Sequence, residues 1–356
     1  MVEENLLTSA VRGKGRVAIV HHWDADGIAS AALVIEEVRR ANPDAKTLNR
    51  SPTIGRWALD AEEIDHLRGW GPDLLVIVDL AIRDDDLDAI LDGLPGVPAV
   101  MVDHHRAEVP GHPRLVYHNP VAEGGAETDF PACTWVLRHL LGRGMDLLTV
   151  LGVFGDRGRG VEDEPVWRDL GPWLEVSDLT WDDMHLLVDL VDSSAKRVDR
   201  EDVDNAVGLL LEGWKEPLGL VGLDAWNRGN DEVERALIEQ LQNGPETEVG
   251  STLIKTINTP YLVISTAARR LVRTRDNPVV VVVNMGYSGG EVQVYVRRTG
   301  ELDLAPMIPR MRDRGLSAGG KSEVLGVIVP RSDLEDVMGE ILGYLEDPGA
   351  PRYDDQ

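Results

Sequence analysis

Residues 17–30, VAIVHHWDADGIAS, carry the reading of the fold. The apolar run Val17 to Val20 has the length of a strand and leads straight into two histidines and two aspartates. Glycine and small residues then open a helical pattern. A strand that is apolar throughout must be covered on both faces, as strands are in a parallel sheet layered between helices. The same alternation recurs downstream. Ile28 to Ala41 reads as an amphipathic helix stopped by Asn42-Pro43-Asp44, and Leu74 to Val78 as a second buried strand. An acidic helix starts at Asp84, and Val97 to Val102 is a third strand. The expected class is α/β with an N-terminal parallel sheet.

In such sheets ligands bind beyond the carboxyl ends of the strands. Each strand here ends in polar side chains: His22, Asp24 and Asp26 after the first, Asp79 after the second, and Asp103-His104-His105 after the third. Asp156, in LGVFGDRGRG, ends a further apolar segment from Leu147 to Phe154 and is a fourth candidate. Taken singly, each has an ordinary explanation. An aspartate after a strand commonly caps the next helix. An isolated histidine is commonly a solvated surface group, the reading given to His21, His66, His112, His118, His139 and His185. Capping alone does not account for clusters on three successive strand ends. Imidazole mixed with carboxylate suits divalent first-row ions such as Mn²⁺. His22, Asp24, Asp26, Asp79, His104 and Asp156 are too many for one ion and suit two, which sit about 3.5–4 Å apart with a carboxylate between them.

Composition narrows the class further. The chain has 356 residues, 43% hydrophobic and 28% charged, enough for two domains with a core in each. Its net charge of −26 gives a strongly solvated acidic surface. Only six of its 36 basic residues are lysine, a balance that fits a high-salt cytoplasm or a GC-rich genome. The single cysteine, Cys133, excludes an internal disulfide, fits a reducing compartment, and is read as a small core residue. The opening MVEENLLTSAVRGKG lacks the apolar core of a secretion signal, and no apolar run approaches membrane-spanning length. A cytoplasmic protein with no membrane partner is expected.

From about residue 171 to 275 the pattern is helical and acidic, as in DLTWDDMHLLVDLVDSSAKR and EVERALIEQLQ. Val279 to Met285 and Glu291 to Val296 then alternate as strands around Gly286 to Gly290, a hairpin signal. A helix bearing Arg310, Arg312 and Arg314, a glycine loop at Gly319-Gly320, a strand from Val324 to Val329 and a last helix complete a small α/β unit. DPGAPRYDDQ reads as a frayed tail. Between Lys255 and Lys321 eleven basic residues face five acidic ones, a local +6 within a chain of −26. Phosphate-rich ligands need such cations. A basic lobe opposite a metal-bearing lobe would form a cleft for a phosphodiester; a merely solvated basic helix, Ala267 to Arg275, is the plainer alternative.

H-x-D-x-D-G at 22–27, Asp79 in VIVDLAI, D-H-H at 103–105 and Asp156 together resemble the four motifs of the DHH phosphoesterase superfamily, in order and spacing. That family includes RecJ-type single-strand exonucleases, oligoribonucleases, cyclic-dinucleotide phosphodiesterases and family II inorganic pyrophosphatases. VRRTGELDLAPMI followed by GGKSEVLG resembles, more loosely, the companion DHHA1 domain. The resemblance implies a DHH domain over 1–170, a helical connector over 171–275 and a DHHA1-like domain over 276–350. It implies two Mn²⁺ ions, with Mg²⁺ as a substitute: one held by His22, Asp24 and a bridging Asp79, the other by Asp26, Asp79, His104 and Asp156. His105 would face the substrate phosphate, and Asp103 would orient a neighbouring histidine. Asn119-Pro120 would be the turn that follows the third motif, although any Asn-Pro turn looks the same.

In the second domain Arg297, with Arg298 beside it, matches the family's substrate arginine, and Gly319-Gly320 match its glycine loop. Lys321 stands where the family has histidine, and it can bind phosphate as a point charge without a stacking face. The implied activity is hydrolysis of single-stranded DNA or RNA, or of short oligonucleotides, by metal-activated water. The alternative is a small-molecule phosphoesterase acting on a cyclic dinucleotide, a nucleotide 3′-phosphate or pyrophosphate. A replication scaffold that has lost catalysis is a third class, but every expected ligand is present. A replication or repair protein, or a second copy of the chain, are the protein partners the resemblance allows.

Overall fold

The computed structural model describes residues 5–347, in two compact units. The first comprises residues up to Ala195 together with Asp199–Asn230, and the second Lys196–Val198 together with the chain from Asp231. The tail expected after residue 347 lies outside the described residues.

The first unit is built on five parallel strands: β1 (Arg16–His21), β2 (Lys46–Arg50), β3 (Leu74–Val78), β4 (Ala99–Val102) and β5 (Leu115–His118). Their order is β2-β1-β3-β4-β5. The three strands legible as apolar runs are the inner ones, and every residue of β3 and β4 is buried. Burying each such Val, Leu or Ile stabilises by about 1.5–3 kcal/mol. β2 and β5 are not legible because they are edges: KTLNR and LVYH are half-exposed and carry polar residues.

Two segments differ from expectation. The helix expected from Ile28 begins at Ala25, three residues earlier, and is buried around most of its circumference rather than along one stripe. Other helices pack on its outer side, so alanine and glycine occupy positions where an amphipathic helix would carry charge. The apolar segment from Leu147 is a helix, Leu147–Arg157, rather than a strand. Asp146 caps it, its side chain accepting from Thr149 N–H at 2.9 Å, and Asp156 lies in its last turn.

The second unit holds six strands: β6 (Glu246–Val249), β7 (Thr252–Ile257), β8 (Val279–Asn284), β9 (Glu291–Arg298), β10 (Ser317–Lys321) and β11 (Val324–Pro330), in the order β10-β11-β9-β8-β7-β6. Only β7 and β8 are parallel, joined through the helix Ile264–Thr274. The stretch 171–275 is thus not a helical connector throughout. Its last thirty residues supply β6, β7 and this helix, and β7 pairs along the whole of the buried β8, five valines followed by Asn284. The expected glycine loop is the end of a strand: Gly319 and Gly320 pair in β10 with Gly326 and Leu325 of β11. Gly320 has φ +147°, and a Cβ there would fall 2.1 Å from the Val324 carbonyl oxygen, so the hairpin requires glycine.

Candidate metal centre

The strand order turns back between β1 and β3, since β2 lies to one side and β3, β4, β5 to the other. This switch point leaves a crevice at the carboxyl ends, free of a crossing connection. The HHWDAD stretch leaves β1 there, Asp79 leaves β3, and Asp103-His104-His105 leave β4. Four polar side chains follow the apolar run of β1 because the chain leaves the sheet at this crevice.

Each side chain is set by local structure. Asp24 caps the helix Ala25–Ala41 through one oxygen, Oδ1 accepting from Gly27 N–H at 3.0 Å, and leaves Oδ2 at 2.7 Å from His22 Nδ1. Capping and ligand readings therefore both apply, one to each oxygen. Asp26, fully buried, accepts from Cys133 N–H at 2.6 Å and Thr134 N–H at 3.0 Å, the free donors at the start of the helix Cys133–Leu141. Asp79 ends β3 at φ +59°, in the left-handed region that aspartate tolerates better than most residues. Its N–H still donates to Val102 O at 3.1 Å while its carboxylate turns into the crevice.

The side chains converge. His104 Nε2 lies 3.1 Å from Asp156 Oδ2, 3.3 Å from Asp79 Oδ1 and 3.8 Å from Asp26 Oδ2. His22 Nδ1 lies 3.8 Å from Asp79 Oδ2. His22, Asp24 and Asp79 form one group able to hold an ion, and Asp26, His104 and Asp156 another, with Asp79 offering one oxygen to each side. A third combination, Asp79 with Asp103, His104 and His105, overlaps these.

Despite this closeness, both ring nitrogens of His22, both oxygens of Asp79 and His104 Nε2 are buried without a hydrogen bond among the described residues. Leaving a buried polar atom unpaired costs about 1–3 kcal/mol, and five in one place are the mark of atoms directed at a shared cation. The charges agree. Burial, reinforced by Asp26 and Asp24, pushes the Asp79 carboxyl well above the usual carboxylate range. Burial and the charge of Asp156 push Asp26 up to about 6. Burial would raise Asp24 too, but His22 outweighs it and holds that carboxyl low. Burial would lower His104, but Asp156 and Asp79 outweigh it and hold the imidazole well above its usual value. Without a cation the cluster draws in protons; a divalent ion supplies positive charge at the same oxygens. The residues fit the metal.

Asp103 is fully buried and accepts from the His104 and His105 N–H groups and from His105 Nδ1, the last at 2.8 Å. The histidine it orients is thus His105. Burial opposes, but Asp103 outweighs it and raises the His105 pKa. Asn119 is buried and donates to the His105 carbonyl at 2.8 Å, while its Oδ1 accepts from Val121 N–H at 3.0 Å. The Asn-Pro turn therefore anchors the histidine loop.

His21 is not the solvated residue it looks like in the sequence. It is fully buried, its ring donates from Nδ1 to the His22 carbonyl at 2.7 Å, and burial lowers its pKa. Other contributors carry no motif: Asp192, which accepts from Ala25 N–H at 2.9 Å, and Gly152, where a Cβ would fall 2.2 Å from both Asp26 Oδ1 and Thr134 Oγ1. The small-residue spacing in GVFG, Gly152 to Gly155, is the one available signal for the second.

In the second unit Arg297, Val324 and Lys321 stand in one row across β9, β11 and β10. Arg298 Nε donates to the Ser322 carbonyl at 3.1 Å, and Lys321 pairs with Glu323 at 2.9 Å. The ion pairs Lys255–Glu246, Arg270–Glu234, Arg275–Glu246, Arg314–Glu340 and Lys321–Glu323 occupy five of the eleven cations counted above. The four glutamates of these pairs, Glu234, Glu246, Glu323 and Glu340, all lie outside the counted window, so the local excess is smaller in space than along the chain.

The five-stranded α/β unit thus carries, at its switch point, two groups of histidine and aspartate able to hold an ion. Residues 16–146 match the DHH family, N-terminal domain. No curated protein sequence matches the chain. Among solved structures, the RecJ of Thermus thermophilus in complex with Mn²⁺ superposes with a TM-score of 0.66 at 19% identity, over 98% of this chain and 54% of that one. This chain therefore spans about half the length of that relative. An exonuclease RecJ bound to manganese gives 0.61 at 19% identity, over 98% and 94% of the two chains. The DHH domain of a protein described as a member of a ribosomal protein family gives 0.68 at 16% identity, over 94% and 87%. At these identities the likeness establishes the fold. No helix among the described residues is long and apolar enough to cross a membrane.

Proposed function

We propose that this chain is a Mn²⁺-dependent phosphodiesterase acting on single-stranded nucleic acid or short oligonucleotides. The observation that carries the reading is the pair of ligand groups sharing Asp79, with a half-exposed His105 beside them. Two divalent ions bound there would activate a water and neutralise phosphoryl oxygens. The chain's own residues do the rest. His22 and Asp24 on one side and Asp26, His104 and Asp156 on the other would hold the ions, with Asp79 offering an oxygen to each group. Asp103 accepts the Nδ1 hydrogen bond of His105, which leaves Nε2 to face a phosphoryl or leaving-group oxygen, and, outweighing burial, Asp103 raises the His105 pKa in favour of the protonated ring.

His105→Ala should separate the two jobs. kcat should fall about 100-fold, the usual weight of a positioned acid, while Mn²⁺ affinity measured by calorimetry stays at the wild-type value. A parallel loss of metal would make His105 a ligand instead.

Nitrogen ligands favour Mn²⁺ over the harder, more strongly hydrated Mg²⁺. Rates should follow Mn²⁺ above Mg²⁺, with little in Ca²⁺ alone; equal rates in Ca²⁺ contradict the ligand set. The decisive panel uses labelled single strands of graded length, DNA and RNA, beside pyrophosphate and a cyclic dinucleotide. Cleavage of the small molecules with every strand left intact would replace this reading with the small-molecule one.

A further inference from the structure

We infer that Trp57, with Trp23, forms a stacking platform for a nucleobase at the mouth of the metal centre, so that the substrate must carry a base next to the phosphate that is cut. The inference rests on the phosphodiesterase reading above and narrows it to base-bearing substrates.

Trp57 lies between β2 and the helix Ala61–Trp70, on a loop pinned at its start by Ser51 N–H donating to Asp204 at 2.8 Å. Its ring is stacked on that of His22, with centroids 5.1 Å apart and planes 10° apart. Trp23 closes the group, 4.2 Å from His22 and 5.5 Å from Trp57. Yet Trp57 is 48% exposed, the only tryptophan among the exposed large hydrophobics of the described residues. An indole used for core packing would be covered. This one gives a face to a residue of the ion site and leaves the remainder to solvent.

The chemistry of the neighbour decides what fits. His22 belongs to a group able to hold an ion, so a phosphoryl oxygen drawn to that ion would lie on the side of the site where the Trp57 indole stacks on His22. A base attached to that phosphate through its sugar meets a flat aromatic surface. Stacking uses the π-face that all bases share, so it tolerates sequence and distinguishes nucleotides from bare phosphates. Pyrophosphate and sugar phosphates have nothing to lay on it.

The test uses the full chain as wild type, Trp57→Ala and Trp57→Phe, with two probes: a single-stranded pentamer linked by phosphorothioates to resist hydrolysis, and the same pentamer without bases. The base-bearing pentamer should quench tryptophan fluorescence in the wild type, and its affinity should fall about tenfold in Trp57→Ala and be largely restored in Trp57→Phe. The abasic pentamer should bind all three proteins alike. With hydrolysable strands the loss should appear in KM, with kcat little changed. Equal weakening of both pentamers, a fall in Mn²⁺ affinity, or no difference between wild type and Trp57→Ala would each overturn the platform; the second would mean the ring only props His22. Base-dependent binding through Trp57 in a wild type that cleaves no strand would keep the platform and remove the phosphodiesterase reading.

Discussion

Asp79→Asn should abolish turnover, by at least about 1,000-fold, while the metal-free protein melts no lower than the wild type. The two halves of that result have one cause. Asp79 is buried, has no hydrogen bond to either oxygen among the described residues, and is pushed well above the usual carboxylate range by burial and by Asp26 and Asp24. In the absence of an ion its charge opposes folding, and asparagine removes the charge while keeping both the shape and the tolerance of φ +59°. With ions present the same charge is what both groups share. Losing it removes several kcal/mol of electrostatic stabilisation, at 1.36 kcal/mol per tenfold in rate. Melting in EDTA and initial rates in Mn²⁺ check the two halves separately. A variant as active as the wild type sinks the shared-carboxylate assignment, and one that melts well below it means Asp79 is chiefly structural.

Gly152→Ala should damage the site from outside it. The added methyl would fall 2.2 Å from Asp26 Oδ1 and from Thr134 Oγ1, and neither can retreat. Asp26 is held by two backbone N–H groups, and the Thr134 hydroxyl donates to the Thr149 carbonyl at 3.1 Å. The helix Leu147–Arg157 must shift instead, at a cost of about 1–3 kcal/mol for overpacking. One turn further along, that shift carries Asp156 away from His104 Nε2. A displacement of about 1 Å can cost 100-fold in rate, so stability, affinity for the second ion and rate should all fall together. Gly155→Ala, whose methyl would meet Ala25 Cβ at 3.1 Å, should be milder, and Gly144→Ala, with nothing within 4 Å, should be silent. Wild-type melting and metal titration in Gly152→Ala would show that the helix contact does not position Asp156.

The inner strands and their polar ends are legible because burial on both faces forces an unbroken apolar run, and a run must stop where the chain leaves the sheet. That is why β1, β3, β4 and the residues of HHWDAD, Asp79 and Asp103-His104-His105 stand out in a linear reading. Edges lack that constraint, so β2 and β5 do not. The segment from Leu147 reads as a strand but folds as a helix for a related reason: an apolar stretch buried on all sides has no periodicity to separate the two.

What the sequence determined by itself is the kind of chemistry, since histidine and aspartate at successive strand ends suit divalent ions wherever they meet. The tertiary structure decided the rest. Strand order brought the clusters to one crevice, and backbone N–H groups of a helix more than a hundred residues away fixed Asp26. It also buried His21, set Trp57 against His22, and answered part of the basic segment with glutamates distant in sequence. Those outcomes depend on distances between residues remote in the chain, and no local pattern encodes them.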